Sequence, residues 1–147
     1  MNVWRGMMER MKQGIAGAGA LLAAGADYLC FRDWDNMLGN AVRQIDVDGG
    51  IEETLRSVPN FLGEANNWMP DYLGTLGMGC IGSALSARRG MQRAYIGAVV
   101  GVNVLSELLQ NAGVLNGSYD TKDILAYLAG GLSAAAIGKI TGNSRRS

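Results

Sequence analysis

The chain has 147 residues, enough for one domain, and its thirteen basic and thirteen acidic residues cancel. It therefore lacks the basic excess of a nucleic-acid-binding protein, and it has no histidine, the commonest metal ligand and general base. Charged residues make up only 18% of the chain, and 22 residues are glycine. These numbers argue against a disordered tail, a disulfide scaffold, a histidine-based hydrolase and a nucleic-acid partner.

The N-terminal segment carries basic residues before an apolar run. Arg5, Arg10 and Lys12 precede the run 14–26, which ends in Ala-Gly-Ala. This order resembles a secretory signal peptide. The apolar run continues to Phe31, however, which brings it close to the length of a membrane span. We therefore favour an uncleaved first helix over a cleaved signal.

Four stretches, 14–31, 69–87, 94–115 and 123–141, approach the roughly 20 residues needed to cross a bilayer. If all four span and the N-terminus is cytoplasmic, nine of the thirteen basic residues fall in cytoplasmic segments, as the positive-inside rule requires. The sequence thus predicts a single all-α membrane domain, an integral bundle of four transmembrane helices with both termini cytoplasmic and the lipid bilayer as partner. The alternative, a soluble helical bundle, needs more polar surface than the first and third stretches offer.

Small residues are expected where these helices approach one another. The glycines predicted at such contacts are Gly74, Gly79, Gly82, Gly97, Gly101, Gly130 and Gly131.

The long outer loop, 32–68, has helical periodicity of its own. Apolar residues recur at helical spacing from Trp34 to Ile45, and again from Ile51 to Val58. This pattern predicts two short amphipathic helices in the membrane interface, anchored by the tryptophans at the two ends of the loop. The alternative is a solvated loop with incidental periodicity.

Two further patterns have simple structural interpretations. Cys30 and Cys80 lie fifty residues apart in apolar surroundings with no histidine to join them, so they are interpreted as buried hydrophobes. The segment Gly77–Gly82 fits the G-x-G-x-x-G pattern, but no strand precedes it as a dinucleotide site requires. The sequence therefore predicts neither a metal nor a cofactor.

Polar residues within the apolar stretches form the candidate site. They recur along single helix faces, and the predicted orientation brings them together, with Asp27, in the outer half of the membrane, where ionisable groups usually serve a function. The candidate ligand-binding residues are Asn103, Glu107, Gln110, Asp71, Asp120, Asp123 and Tyr127. The alternative is structural: helix N-terminal positions for Asp71, Asp120 and Asp123, and a buried polar lock at Glu107.

The same residues resemble the motif of the VanZ-like family of small membrane proteins. The segments concerned are Ser106–Gln110, 117–126, Gly130–Gly131 and Pro70–Gly74, and the resemblance covers about residues 69–138. It implies a membrane protein of four to five spans. The residues that occupy the family's motif positions are Glu107, Gln110, Asp123 and Gly130.

Three functions are compatible with these patterns. The first is a non-enzymatic membrane protein that binds an envelope ligand or headgroup in the polar pocket. The second is a structural or accessory subunit of a larger membrane complex that packs through Gly/Ala helix faces against other membrane subunits. The third, ranked last, is a pore former. Ser106 and Ser133 have no base beside them, but a carboxylate pair can act in general acid–base chemistry, so enzymatic activity stays open.

Overall fold

The computed structural model describes residues 2–31, 37–46, 48–59, 63–86 and 88–143. Every regular element in these ranges is helical. The elements are α1 (Asn2–Phe31), α2 (Met37–Ile45), α3 (Gly50–Arg56), a 3₁₀ segment (Gly63–Asn67), α4 (Met69–Leu85), α5 (Arg89–Asn111) and α6 (Thr121–Asn143). The helical content expected from the sequence is therefore present throughout the described residues.

Helices α1 and α4 pack closely because glycine faces glycine. A Cβ on Gly17 would lie 2.7 Å from the Gly77 carbonyl oxygen, and a Cβ on Gly77 would lie 2.8 Å from the Gly17 carbonyl oxygen. Gly14 faces Ala84, so an earlier residue of α1 meets a later residue of α4 and the helices run antiparallel. Any larger side chain at this crossing would force the two backbones apart.

Helix α4 also contacts α6 through small residues. A Cβ on Gly130 would lie 2.6 Å from the Tyr72 carbonyl oxygen, and a Cβ on Gly79 would lie 2.7 Å from the Ala134 side chain. Positions increase together along both helices, so α4 and α6 run parallel. Their N-terminal ends consequently lie at the same end of the molecule.

The buried core lies where α4, α5 and α6 meet. It consists of Cys80, Ile96 and Ala134, surrounded by half-buried apolar side chains of the same three helices. A core made of such small side chains lets the helices pack tightly but buries little apolar surface.

The two short helices predicted in the loop 32–68 are present, and both contact α1. The Asp46 side chain accepts hydrogen bonds from the backbone N–H groups of Ile51 (3.2 Å) and Glu52 (2.9 Å), in the first turn of α3. Arg43 of α2 forms an ion pair with Glu52 at 3.1 Å, which joins the two helices. Trp34, one of the predicted anchors, lies outside the described residues.

The prediction of transmembrane helices is wrong. Within the described residues, no helix combines the length and the apolar character that crossing a membrane requires. Helix α4 has 17 residues, fewer than the roughly 20 that a spanning helix needs. The longer helices carry buried ionisable groups in their apolar stretches, such as Asp27 in α1 and Glu107 in α5. The predicted multi-pass bundle and its cytoplasmic termini are overturned with it.

The predicted glycine contacts are correct in part. A Cβ on Gly74, Gly97 or Gly101 would meet no atom within 4 Å, so these three glycines are not packing positions. The predicted glycines that lie against a neighbouring helix are Gly79, Gly82, Gly130 and Gly131, and the sequence analysis missed Gly14, Gly17 and Gly77, which do so as well.

Candidate functional site

Three helices bring a group of polar side chains together at one end of the molecule. The group contains Asp71 in the first turn of α4, Glu107 in the last turns of α5, and Asp120 and Tyr127 at the start of α6. We call these four residues the carboxylate–tyrosine cluster. It forms because α4 and α6 begin at this end, whereas the antiparallel α5 finishes there.

The Tyr127 hydroxyl lies between two carboxylates. Its oxygen is 3.2 Å from Asp71 Oδ1 and 3.4 Å from Glu107 Oε1, so its single proton can be donated to only one of them at a time. Burial raises the pKa of Tyr127 well above its usual value, and the negative charges of Asp71 and Glu107 raise it further. The tyrosine therefore stays protonated and acts as a hydrogen-bond donor.

Both carboxylate oxygens of Glu107 lie within hydrogen-bond distance of a donor inside the protein, although Oε1 shares its donor with Asp71. Only 4% of the residue is exposed, and Oε2 accepts the backbone N–H of Asp120 at 3.3 Å while Oε1 faces the tyrosine. Asp120 in turn accepts the backbone N–H of Lys122 at 2.8 Å, as a helix N-cap does. The glutamate and the loop that precedes α6 are therefore held together.

Asn103 lies one turn before Glu107 and bonds to α4. Its side-chain amide donates to the Thr75 hydroxyl oxygen at 3.0 Å, and Thr75 is 2% exposed. Thr75 was not among the predicted site residues, although its position one turn after Asp71 in α4 could have identified it. A second contact that the sequence analysis missed joins the Tyr72 hydroxyl to Ser133 at 3.1 Å.

The remaining predicted residues lie at different distances from the cluster. Asp123 is half-buried, and its charge contributes to raising the pKa of Tyr127 one turn later in α6. Gln110 lies instead against the backbone of Gly117, a loop glycine with φ of 144°, where a Cβ would be 2.7 Å from the amide. The structure thus brings six of the seven predicted residues into one network or beside it, and it leaves Gln110 outside.

The cluster offers carboxylate oxygens and one phenolic hydroxyl, groups that exchange hydrogen bonds or lie against a cation. Among the described residues, no group of three or more histidine, cysteine or acidic side chains is arranged to hold a metal ion. A cavity of about 320 Å³ lies elsewhere, and none of its lining residues belongs to the cluster. At the carboxylates the described side chains bond to one another and to the nearby backbone, and the outward-opening pocket expected there stays a prediction.

The outer surface of α5 carries a row of apolar residues. Met91, Tyr95, Ala98, Val102 and Leu105 follow one another at intervals of four, three, four and three residues, and all are exposed. We call these five residues the α5 apolar face. Val102 is 66% exposed and Leu105 is 54% exposed. A row with this heptad spacing is typical of a helix that packs along another helix.

Helix α1 carries a second row of the same kind. Its members are all exposed, and they are again separated by alternating intervals of four and three residues. They are Trp4, Met8, Met11, Ile15, Ala18 and Leu22.

No family model matches the chain, and neither a curated protein nor a solved structure matches it. The resemblance to the VanZ-like family stays a prediction. The membrane-spanning fold that this resemblance implies is not supported by the helices of the structure.

Proposed function

We propose that this chain is a non-enzymatic subunit of a larger protein assembly, in which helices of partner chains cover the α5 apolar face. The observation that carries the proposal is the exposure of that face: large apolar side chains lie outside, whereas the buried apolar residues are mostly alanine. Contiguous exposed apolar patches usually mark interaction sites.

The composition of α5 supports a partner made of protein helices. From Ala94 to Ser106 the helix has no charged residue, so its exposed face lacks the polar groups that ordinarily cover a solvated helix. Its heptad spacing matches the way in which one helix inserts side chains between those of another. The Gly/Ala contacts predicted for partner binding are used instead inside the chain, between α1, α4 and α6.

Site-specific photocrosslinking in the producing cell tests this proposal. A photoreactive amino acid at Val102 should give a discrete crosslinked protein product, and Leu105→Glu should abolish it. The same amino acid at Leu115, which is 43% exposed in the loop before α6, is the matched control and should give none. A product at twice the mass of the chain would identify a second copy as the partner. The absence of a discrete product from Val102, or equal products from both positions, would contradict the proposal.

A second candidate function is the binding of a cationic or hydroxyl-bearing group at the carboxylate–tyrosine cluster. One observation favours it: Asp71 and Glu107 carry like charges and both approach the same tyrosine hydroxyl, so a cation between them would reduce their repulsion. It ranks second because the oxygens of Glu107 already have partners within the protein.

Ethanolamine is a suitable probe for this second function because it carries both an ammonium and a hydroxyl group. If the cluster binds such groups, ethanolamine should raise the unfolding midpoint of the wild type. Glu107→Gln keeps the shape of the side chain and removes the charge, and this variant should not respond. An equal response from both proteins would exclude the cluster as the binding site.

A further inference from the structure

The cavity of about 320 Å³ lies between α4, α5 and α6 at the end opposite the carboxylate–tyrosine cluster. It opens where α4 ends and α5 begins, beside the later turns of α6. The lining residues that matter here are Ser83, Arg89, Gln92, Arg93, Ile96 and Lys139. A cavity of this volume is at the small end of the range found for ligand sites.

The charged residues that line the cavity within the described part of the chain are all positive. They are Arg89, Arg93 and Lys139. All three are exposed at its mouth. Within the described part of the chain, Arg93 and Lys139 form no ion pair, so both charges are available to a ligand.

A buried hydroxyl lies at the wall of the same cavity. Ser83 is 1% exposed, and its Oγ has no hydrogen-bond partner among the described residues. Buried polar groups are nearly always bonded, and an unbonded one costs free energy. The Oγ atom is itself enclosed, so the Ser83 side chain has to rotate toward the cavity before it can donate to a bound acceptor.

The remaining polar groups hold the cavity in shape. The side-chain amide of Gln92 donates to the carbonyl oxygen of Ser83 at 3.0 Å, which fastens the first turns of α5 to the end of α4. The first turn of α5 contains no acidic residue, so the positive end of the helix dipole is not offset there. Ile96 supplies an apolar wall.

From the cationic rim, the unbonded buried hydroxyl and the apolar wall, we propose that this cavity binds a phosphate monoester. Arg93 and Lys139 pair with the phosphate oxygens, and the organic group of the ester contacts Ile96. The Ser83 side chain rotates toward the cavity when the ligand binds and donates its hydroxyl hydrogen bond to one of the phosphate oxygens. Guanidinium groups suit phosphate because their donors match its oxygens in pairs.

The alternative is that the basic residues stabilise helix ends and bind no ligand, and this alternative explains fewer of the observations. The C-terminal ends of α4 and α6 lie near the cavity, and cations near such ends are favourable. That account gives a reason for the positive charge. It does not explain why the buried Ser83 hydroxyl has no hydrogen-bond partner or why a cavity lies beside it.

Calorimetric titration of the full chain with glycerol 3-phosphate tests the proposal, with glycerol as the neutral comparison. The wild type should bind glycerol 3-phosphate at one site and should not bind glycerol. Arg93→Gln should weaken binding about tenfold or more, as expected for the loss of one charge-assisted hydrogen bond. Arg88→Gln is the matched control, because Arg88 is an exposed neighbour outside the cavity lining and should matter less than about threefold.

Ser83→Ala separates a ligand site from a structural role. It removes a buried hydroxyl that has no partner, so the unfolding midpoint of the free protein should stay the same or rise. Affinity for glycerol 3-phosphate should nevertheless fall severalfold. A lower midpoint with unchanged affinity would assign Ser83 a structural role and overturn the proposal.

Vesicles distinguish the two sources of a phosphate monoester. Cosedimentation with phosphatidic acid vesicles, lost in Arg93→Gln and absent with phosphatidylcholine, would identify a lipid headgroup as the ligand. Binding of glycerol 3-phosphate alone would identify a soluble ester. The proposal is overturned if neither probe binds, or if Arg88→Gln and Arg93→Gln weaken binding equally, because the attraction would then be unspecific.

Discussion

The two ends of the helices α4, α5 and α6 differ in whether their buried polar side chains have hydrogen-bond partners. At the carboxylate–tyrosine cluster, both oxygens of Glu107 lie within reach of a donor inside the protein, one of which is shared with Asp71. At the cavity, the Ser83 hydroxyl has no bond within the described residues. The comparison teaches that the acids that are conspicuous in the sequence lie beside donors of the protein itself, whereas a buried hydroxyl without a bond lies at a serine that nothing in the sequence marks.

The largest effect on stability is expected from Glu107→Leu. This substitution tests whether the hydrogen bonds of Glu107 hold α5 to α6, which is what we mean by a lock. The substitution removes the acceptor for the Tyr127 hydroxyl and the Asp120 N–H, and it should lower the free energy of unfolding by about 2–4 kcal/mol. Glu107→Gln keeps an acceptor and should cost about 1 kcal/mol. Chemical denaturation measures both. Stability equal to wild type in Glu107→Leu would show that the cluster is not a lock.

The next largest effect concerns glycines near the two ends. Gly130→Ala would place a Cβ against the backbone of Tyr72, which cannot move alone, and it should cost about 1–3 kcal/mol. Gly82→Ala near the cavity should cost less, because the Cβ would meet the ring of the exposed Tyr95, which can rotate away.

Gly97→Ala is the control for both substitutions, since nothing lies near its Cβ position and alanine favours helix by about 0.5–1 kcal/mol. Thermal or chemical unfolding of the three variants should therefore rank them with Gly97→Ala the most stable and Gly130→Ala the least. The reverse order for Gly82 and Gly130 would mean that the cavity end is the more rigid of the two.

High pH provides a second test of the hydrogen bonds at the carboxylate–tyrosine cluster. Because the pKa of Tyr127 is higher in the folded protein than in the unfolded chain, the unfolded chain loses its proton first. The stability contribution of Tyr127 is complete below its unfolded pKa of about 10 and is lost as the pH rises above that value, by at most about 1.4 kcal/mol per pH unit.

Tyr127→Phe should be about 1 kcal/mol less stable than wild type at neutral pH, since it removes the shared hydrogen bond. The difference between the two proteins should shrink between pH 9 and pH 11. A constant difference over this range would show that the hydroxyl is not desolvated by the cluster.

The smallest effect is expected at the cap of α6. Asp120→Ala removes the acceptor for the Lys122 N–H and should cost about 1 kcal/mol or less, whereas Asp120→Asn should restore most of it. If the alanine variant loses more stability than Tyr127→Phe, the carboxylate of Asp120 takes part in the lock beyond its capping role.

The sequence was sufficient to predict helices along most of the chain. It also grouped Asp71, Glu107 and Tyr127 in one candidate site, from their spacing along helix faces together with a membrane orientation that proved wrong. Periodicity and spacing carry this information because side chains three or four residues apart share a helix face. The membrane assignment failed for a physical reason. Stretches rich in glycine and alanine resemble spans in composition, but here their small residues, such as Gly17 and Gly77, serve contacts between helices of the same chain.

The cavity could not be predicted from the sequence. Arg93 and Lys139 are 46 residues apart, and no local pattern indicates that α5 and α6 bring them to one rim. Ser83 has no distinguishing neighbour in the sequence either, because the absence of a hydrogen-bond partner is a property of the assembled helices.

The central position of α4 determines the order in which the chain can complete its fold during synthesis. α4 can pair with α1 once both have been made, but Cys80 on its other side is covered only when α5 and the last helix, α6, have arrived. At about 5–20 residues per second, that side of α4 stays open for seconds on the ribosome. The Cys80 thiol is 1% exposed in the finished protein, so its reactivity reports when α6 docks on α4. In a Cys30→Ser background, alkylation of nascent chains should stop when α6 docks.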